Sequence, residues 1–328
     1  MKRREFIGLL GGAVTAWPLA ARAQQPILPV VGFLRNTSSN EAAHLVAAFR
    51  KGLGEAGYVD GRNVTIEYRW TDGKTERLPA LAADLAARQV SVIVALGSTP
   101  AVRAAKVTTT TIPIVFMLGT DPVELGLVAS LNRPGGNLTG VVNLNHLLAQ
   151  KWLELLHELI PKATTFALLV DGTNPASSSL YLREMQAAAQ TLNLQVHIIQ
   201  ADSDRDFDSI FAKVRDLRVS ALVIAAALPF ISNIERFAAM TLRHELPAIF
   251  PFREFAAAGG LASYGTDLAD TYRLAGVYTG RILKGEKPSE LPVQQAVKVE
   301  LVLNLKTAKT LGVAVPLALL GRADEVIE

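Results

Sequence analysis

The chain has 328 residues, half of them apolar and 19% charged, with a formal net charge of +3. That is globular composition, and the length exceeds one average domain, so two are expected. The lack of any cysteine excludes disulfides, thiolate metal sites, thiol nucleophiles and a lipid-bearing N-terminal cysteine, and the five histidines (His44, His146, His157, His197, His244) show no i,i+4 or HxH spacing that would build a histidine-rich metal site.

The first stretch, MKRREFIGLLGGAVTAWPLAARAQQ, has a basic start, a short apolar run over 6–19 and an A-x-A cleavage site at 21–23. Those are the three parts of a secretory signal. The apolar run is shorter than the ~20 residues that span a bilayer. Arg3-Arg4 followed by Glu5-Phe6-Ile7 resembles a twin-arginine export signal, with an ordinary Sec signal as the alternative. Cleavage near Ala23 and a periplasmic location are expected. Removing residues 1–23 takes away four basic residues and one acidic one, which leaves 29 of each sign. A nucleic-acid partner requires a basic excess or stripe, and the mature chain carries neither.

Strands and helices then alternate. The runs 30–34, 64–70, 90–97, 112–118 and 138–142 read as strands, with helices over 40–58, 75–89, 100–107 and 122–131 between them and a Pro-Gly-Gly turn at 133–137. The pattern restarts with a long amphipathic helix over 147–160, ended by Pro161. Strands follow at 165–171, 194–201, 220–228, 247–252 and 261–265, then a helix over 268–285, a strand-like tail at 292–304 and a short helix at 305–312. Strands separated by helices of this length predict βαβ units and parallel sheets. Each half carries about five strands, so the expected fold class is α/β, with two doubly wound lobes.

In open α/β sheets, ligands bind at the C-terminal ends of strands. Three of those ends share a design: Ser98-Thr99-Pro100, Thr120-Asp121-Pro122 and Thr173-Asn174-Pro175. Each has a hydroxyl, a helix-capping residue and then proline, whose preset φ suits the first helical position. The remaining free N–H groups of such helix starts point toward the cleft and favour a carboxylate. The same residues also serve as ordinary caps, and Asp121 with Glu124 comes close to a capping box. No GxGxxG fingerprint, phosphate loop, GxSxG elbow or HExxH motif is present, and no catalytic set, cofactor or metal site emerges.

With the signal, the two lobes and these turns, the chain resembles the periplasmic ABC-transporter substrate-binding proteins of the ABC_sub_bind type, which include tryptophan- and tyrosine-binding members. The stretches that carry the resemblance are RREFIGLLGGAVTAWPLAARAQQ, GRNVTIEYRWTDGKTERLPALAADL, DPVELGLVASLNRPGGNLTGV, PAIFPFREFAAAGGLASYGTDLADTYRLAGVYTGRILKGEKP and NLKTAKTLG, spread over nearly the whole chain. The resemblance implies a type I periplasmic-binding fold, two Rossmann-like lobes joined by three crossovers. It further implies a small molecule held between the lobes, delivery to an ABC permease in the inner membrane, and no reaction on the ligand. A monomer is expected. Crossovers are placed near Val142-Asn143, Gly265-Thr266 and residues 288–291. Lobe one is then 28–142 plus 266–290, and lobe two 143–265 plus 291–328.

The candidate ligand contacts of lobe one are Asn36, Thr37 and Ser38 after the first strand, Ser98 and Thr99 after the third, and Thr120 and Asp121 after the fourth. Lobe two offers Thr173, Asn174, Arg253, Glu254 and Tyr264, and Asp267 begins the return helix. Hydroxyls and helix-start N–H groups suit a carboxylate, and an acid suits an ammonium, so a small zwitterion or carboxylate fits this set. Phe230, Phe252 or Tyr264 could stack on a ring. Ser98 is expected to donate to the ligand and Thr99 to cap the helix. Against these stand structural readings: Arg253-Glu254 as a salt bridge between neighbouring loops, and Tyr264 as a core ring. Two other functions compete with uptake: a binding protein serving a membrane sensor, and an exported α/β hydrolase.

Overall fold

The computed structural model of the chain describes residues 28–39, 42–202 and 207–328. The export signal expected over 1–23 lies outside the described residues.

Lobe one is built from β1 (Val30–Arg35), α1 (Ala43–Glu55), β2 (Thr65–Trp70), α2 (Leu78–Ala87), β3 (Val92–Leu96), α3 (Thr99–Thr108), β4 (Ile114–Leu118) and β5 (Leu138–Val142). The strands β3, β4 and β5 are buried along their whole length. Such runs of apolar residues belong to sheets covered on both faces, which is where parallel strands occur. Lobe two continues with α4 (Ala149–Leu159), β6 (Thr165–Asp171), α5 (Pro175–Leu192), β7 (Gln195–Ala201), α6 (Phe207–Asp216), β8 (Ala221–Ile224), α7 (Leu228–Ile231), α8 (Ile234–Arg243), β9 (Ala248–Phe250), α9 (Arg253–Ala257) and β10 (Ala262–Thr266). The chain then returns to lobe one as α10 (Leu268–Leu283) and β11 (Gln294–Gln295), and ends in lobe two as β12 (Val299–Asn304), α11 (Leu305–Thr310), α12 (Leu317–Leu320) and β13 (Glu325–Ile327).

The first sheet has the order β11-β5-β4-β3-β1-β2 and is parallel throughout. The second has the order β13-β12-β10-β9-β8-β6-β7, with β12 antiparallel to β10 and the other pairs parallel. This is the type I periplasmic-binding architecture of two Rossmann-like lobes. Each sheet is covered on both faces by apolar clusters. The return helix α10 lies against α1 so closely that a Cβ at Gly276 would collide with the Phe49 carbonyl oxygen. Glycine there is a packing requirement, and it fixes the helix that carries Tyr272.

Several expected elements change. Residues 122–131 form turns, not a helix. Asp121 Oδ1 accepts from the Val123 N–H at 2.8 Å, which closes a local turn, and Gly126 sits at φ +65°. Both divert the chain from helical geometry. The expected strand 220–228 stops at Ile224, and 247–252 shrinks to Ala248–Phe250. Residues 253–257, between the two expected strands, form a helical turn. The tail 292–304 is two strands in two sheets. Because β11 pairs with β5, and Leu291 and Val293 pack in lobe one, residues 291–295 run with lobe one and not lobe two. The third passage between the sheets therefore falls at 296–298, not 288–291.

Candidate functional site

Both first strands end in a charge at the interlobe cleft. In lobe one β1 ends at Arg35, and in lobe two β6 ends at Asp171. Both line a cavity of about 630 Å³ formed by the two lobes together. An adjoining chamber of about 750 Å³ shares Arg35, Thr37, Ile231, Phe252 and Leu268 with it and adds His44 and Glu254.

Arg35 is 7% exposed. Its Nη1 donates to the Tyr272 hydroxyl at 2.5 Å, and its guanidinium lies 5.1 Å from the centre of the Tyr272 ring. Its Nε is buried with no partner, and none of its contacts among the described residues is an ion pair. A buried cation without a counter-anion is costly. Tyr272 is wholly buried on α10. Burial pushes its phenol above the usual range, and the Arg35 charge opposes that only in part. The hydroxyl therefore stays neutral and accepts from Arg35.

Asp171 is committed on one side. Its Oδ1 accepts from the Thr173 N–H at 2.9 Å and the Thr173 hydroxyl at 2.6 Å. Nearby, Tyr181 is buried, which pushes its phenol up, with a hydrogen bond to the Ala226 backbone opposing. Two asparagines of the first passage between the lobes complete the wall. Asn145 Oδ1 accepts from both the N–H and the hydroxyl of Thr266 at 3.2 Å, tying the end of β10 to the passage. Asn143 is 4% exposed and lines the same cavity.

Residues 31–327 match the model of the family described as ABC transporter substrate binding protein. The chain belongs to that family. Its members are substrate-binding proteins, not enzymes. The chain is 28% identical over 268 residues, 80% of its own length and 75% of the relative's, to a tyrosine-binding protein of Clostridioides difficile strain R20291. Among solved structures it is similar to the ABC domain in complex with L-Trp from Streptococcus pneumonia, with a TM-score of 0.83, 27% identity, and 92% and 100% of the two chains covered. It is also similar to a conserved domain protein from Vibrio cholerae, with a TM-score of 0.82, 25% identity, and 91% and 99% coverage.

Within this substrate-binding fold, the sequence-expected contacts divide. Asn36, Thr37, Ser98, Thr99, Thr120, Thr173 and Asn174 line the 630 Å³ cavity, and Glu254 lines the adjoining chamber. Asn36 is held by its own lobe, donating to Thr75 Oγ1 at 2.9 Å and accepting from Thr71 Oγ1 at 2.7 Å. Asn174 caps α5 as expected, accepting from the Ser177 N–H at 3.3 Å. Ser98, not Thr99, is the cap. Ser98 caps α3, accepting from the Ala101 N–H at 3.4 Å, and Thr99 is the first helical residue with Pro100 behind it. The cap thus falls one residue earlier than expected, because Pro100 fits the second helical position as well as the first.

Ser38, Asp121, Arg253, Tyr264 and Asp267 line neither chamber. Ser38 is half-buried, and its carbonyl faces the Thr37 hydroxyl at 3.5 Å. Arg253 turns away to Glu300 of β12 at 3.4 Å and to Glu325 of β13, a salt bridge from the start of α9 to two strands and not between neighbouring loops. Tyr264 packs against the core of lobe two, and its carbonyl accepts from Trp152 Nε1 at 2.6 Å. Asp267 caps α10 and accepts from Lys298 Nζ at 2.6 Å. Of the rings, Phe252 lines both chambers, whereas Phe230 is fully buried in lobe two. The sequence reading missed Arg35, His44, Asp171, Tyr272, Asn143 and Asn145. A usable signal existed for two of them: VVGFLR and TFALLVD are apolar strands that end abruptly in a charge.

Proposed function

We propose that this is an exported solute-binding protein that captures an amino acid with a large apolar or aromatic side chain between its lobes and hands it to an ABC permease. The observation that carries the reading is Arg35, a buried guanidinium with an unpaired Nε and no carboxylate of its own. Arginine pairs with carboxylates through two parallel N–H bonds, and with Nη1 engaged by Tyr272, the Nε edge is the one without a partner. Family membership supports the uptake role, and the tyrosine-binding relative and the L-Trp complex support the ligand class. Leu96, Met117, Leu118 and Phe252 in the cavity wall supply apolar surface for a side chain. Ligand that touches both lobes favours their closed arrangement by its differential affinity. Export through the N-terminal signal, with cleavage near Ala23, and action as a monomer complete the proposal.

A thermal-shift panel of the amino acids and aromatic carboxylates tests it. A ligand at 100 times its Kd should stabilise the fold by ~2.7 kcal/mol. Tryptophan and tyrosine should head the panel. A panel in which no amino acid raises the melting temperature removes the proposal.

A further inference from the structure

The ligand's carboxylate is provided for in lobe one, and its ammonium requires an acid. Three carboxylates line the two chambers from lobe two, Asp171, Glu235 and Glu254, and the structure treats them differently. Asp171 lines only the 630 Å³ cavity, and one of its oxygens is saturated by the N–H and hydroxyl of Thr173. Glu254 lines the adjoining chamber with Arg35. Its Oε1 meets His44 Nε2 at 3.2 Å, a contact that reaches from α9 of lobe two to α1 of lobe one. Its Oε2 is buried and has no partner.

Two residues of opposite charge from opposite lobes thus line the chamber, and each has one buried atom without a partner: the Arg35 Nε donor and the Glu254 Oε2 acceptor. Leaving either atom buried and unpaired carries a desolvation cost. One small molecule with adjacent carboxylate and ammonium groups satisfies both. Of the other charged groups lining this chamber, Arg236 is a cation near Asp208 at 3.7 Å, and Glu235 is a carboxylate exposed at the start of α8, with no buried oxygen left unpartnered.

The geometry points to Glu254 as the residue that receives the ligand's ammonium, with His44 as a positioning residue that holds the carboxylate from the facing lobe. This assignment rests on the amino-acid reading given above. The head group then lies between Arg35 and Glu254. The side chain passes Phe252 and Leu268, which line both chambers, into the 630 Å³ cavity. Selectivity for a free α-amino group, against acids of the same shape without one, follows from Glu254.

The test is calorimetric titration with tryptophan and with 3-indolepropionate, which keeps ring and carboxylate but lacks the ammonium; tyrosine and its des-amino analogue form a second pair. The proteins are wild type, Glu254→Gln, His44→Gln and Asp171→Asn. Wild type should prefer the amino acid. Glu254→Gln should weaken it by roughly ten- to a hundredfold, the loss of one hydrogen bond between charged groups, and leave the des-amino analogue unchanged. His44→Gln should produce a smaller loss with the same selectivity, and Asp171→Asn should keep the preference for the ammonium. Equal weakening of both ligands by Glu254→Gln, an unaffected amino acid, or a preference erased by Asp171→Asn overturns the assignment while the amino-acid reading stands. Wild type that binds neither amino acid defeats that reading, and the assignment with it.

Discussion

Replacing Arg35 by methionine removes the charge and keeps most of the length. In the ligand complex it deletes a two-point pairing with the carboxylate. Each hydrogen bond to a charged group is worth about 1.5–3 kcal/mol, so affinity should fall on the order of a hundred- to ten-thousandfold. The effect on stability is a balance. The substitution removes the bond to Tyr272 and the ring contact at 5.1 Å, together about 2–5 kcal/mol. It also relieves a 7%-exposed guanidinium whose Nε has no partner, a penalty of several kcal/mol for an uncompensated buried charge. The two terms are of similar size, so the ligand-free variant should lose far less stability than the complex loses affinity. Denaturant unfolding without ligand, beside calorimetric titration with tryptophan and tyrosine, reads both quantities. A variant that binds normally and unfolds more easily would show that Arg35 is a structural cation, and the reasoning from its missing partner would be wrong.

Ser98→Ala should lower stability by ~1 kcal/mol because Ser98 is the cap of α3, whereas Thr99→Ala should stay within about 0.5 kcal/mol; thermal unfolding of the two separates them. Asn145→Ala strips the Thr266 N–H and hydroxyl of their shared acceptor, and denaturant unfolding should register a loss of about 1–3 kcal/mol. Gly276→Ala drives a methyl into the Phe49 carbonyl and should cost about 1–3 kcal/mol in the same assay. Burial pushes the Asp267 carboxyl up, but the Lys298 ammonium and the first N–H groups of α10 outweigh it and hold the group below its ordinary value. A depressed folded value stabilises the protein above the unfolded value of about 3.9 and withdraws that stability as pH falls through the folded one. Asp267→Asn should therefore flatten the stability profile below about pH 4, and an unchanged acid limb would contradict this.

The alternation of buried strands with amphipathic helices was legible because a parallel sheet covered on both faces leaves long unbroken apolar runs, as at 92–96 and 114–118. The site was legible only in part. Helix starts such as Asn174 announce themselves through local chemistry, since the cap and its N–H are three residues apart. Arg35 does not, because what marks it is a missing partner, and a missing partner is a property of three-dimensional packing. Arg253 misled for the same reason: its acids, Glu300 and Glu325, lie 47 and 72 residues away in sequence. The tail misled because Gln294 and Gln295 give no apolar signal, yet the backbone of β5 had an edge for them to pair with. The missing helix at 122–131 turned on Asp121 folding its carboxylate back two residues instead of three.

The central claim is that the cleft reads the carboxylate of an amino acid through Arg35. Calorimetric titration of the purified protein with tryptophan and tyrosine, beside tryptamine and tyramine, addresses it most directly, because the amines keep ring and ammonium and lack only the carboxylate. At least one of the two amino acids should bind saturably at a single site with micromolar affinity, about 8 kcal/mol, and its decarboxylated amine should bind on the order of a hundredfold more weakly or worse. An amine that binds as tightly as its amino acid, or a protein that binds neither amino acid, would contradict the account.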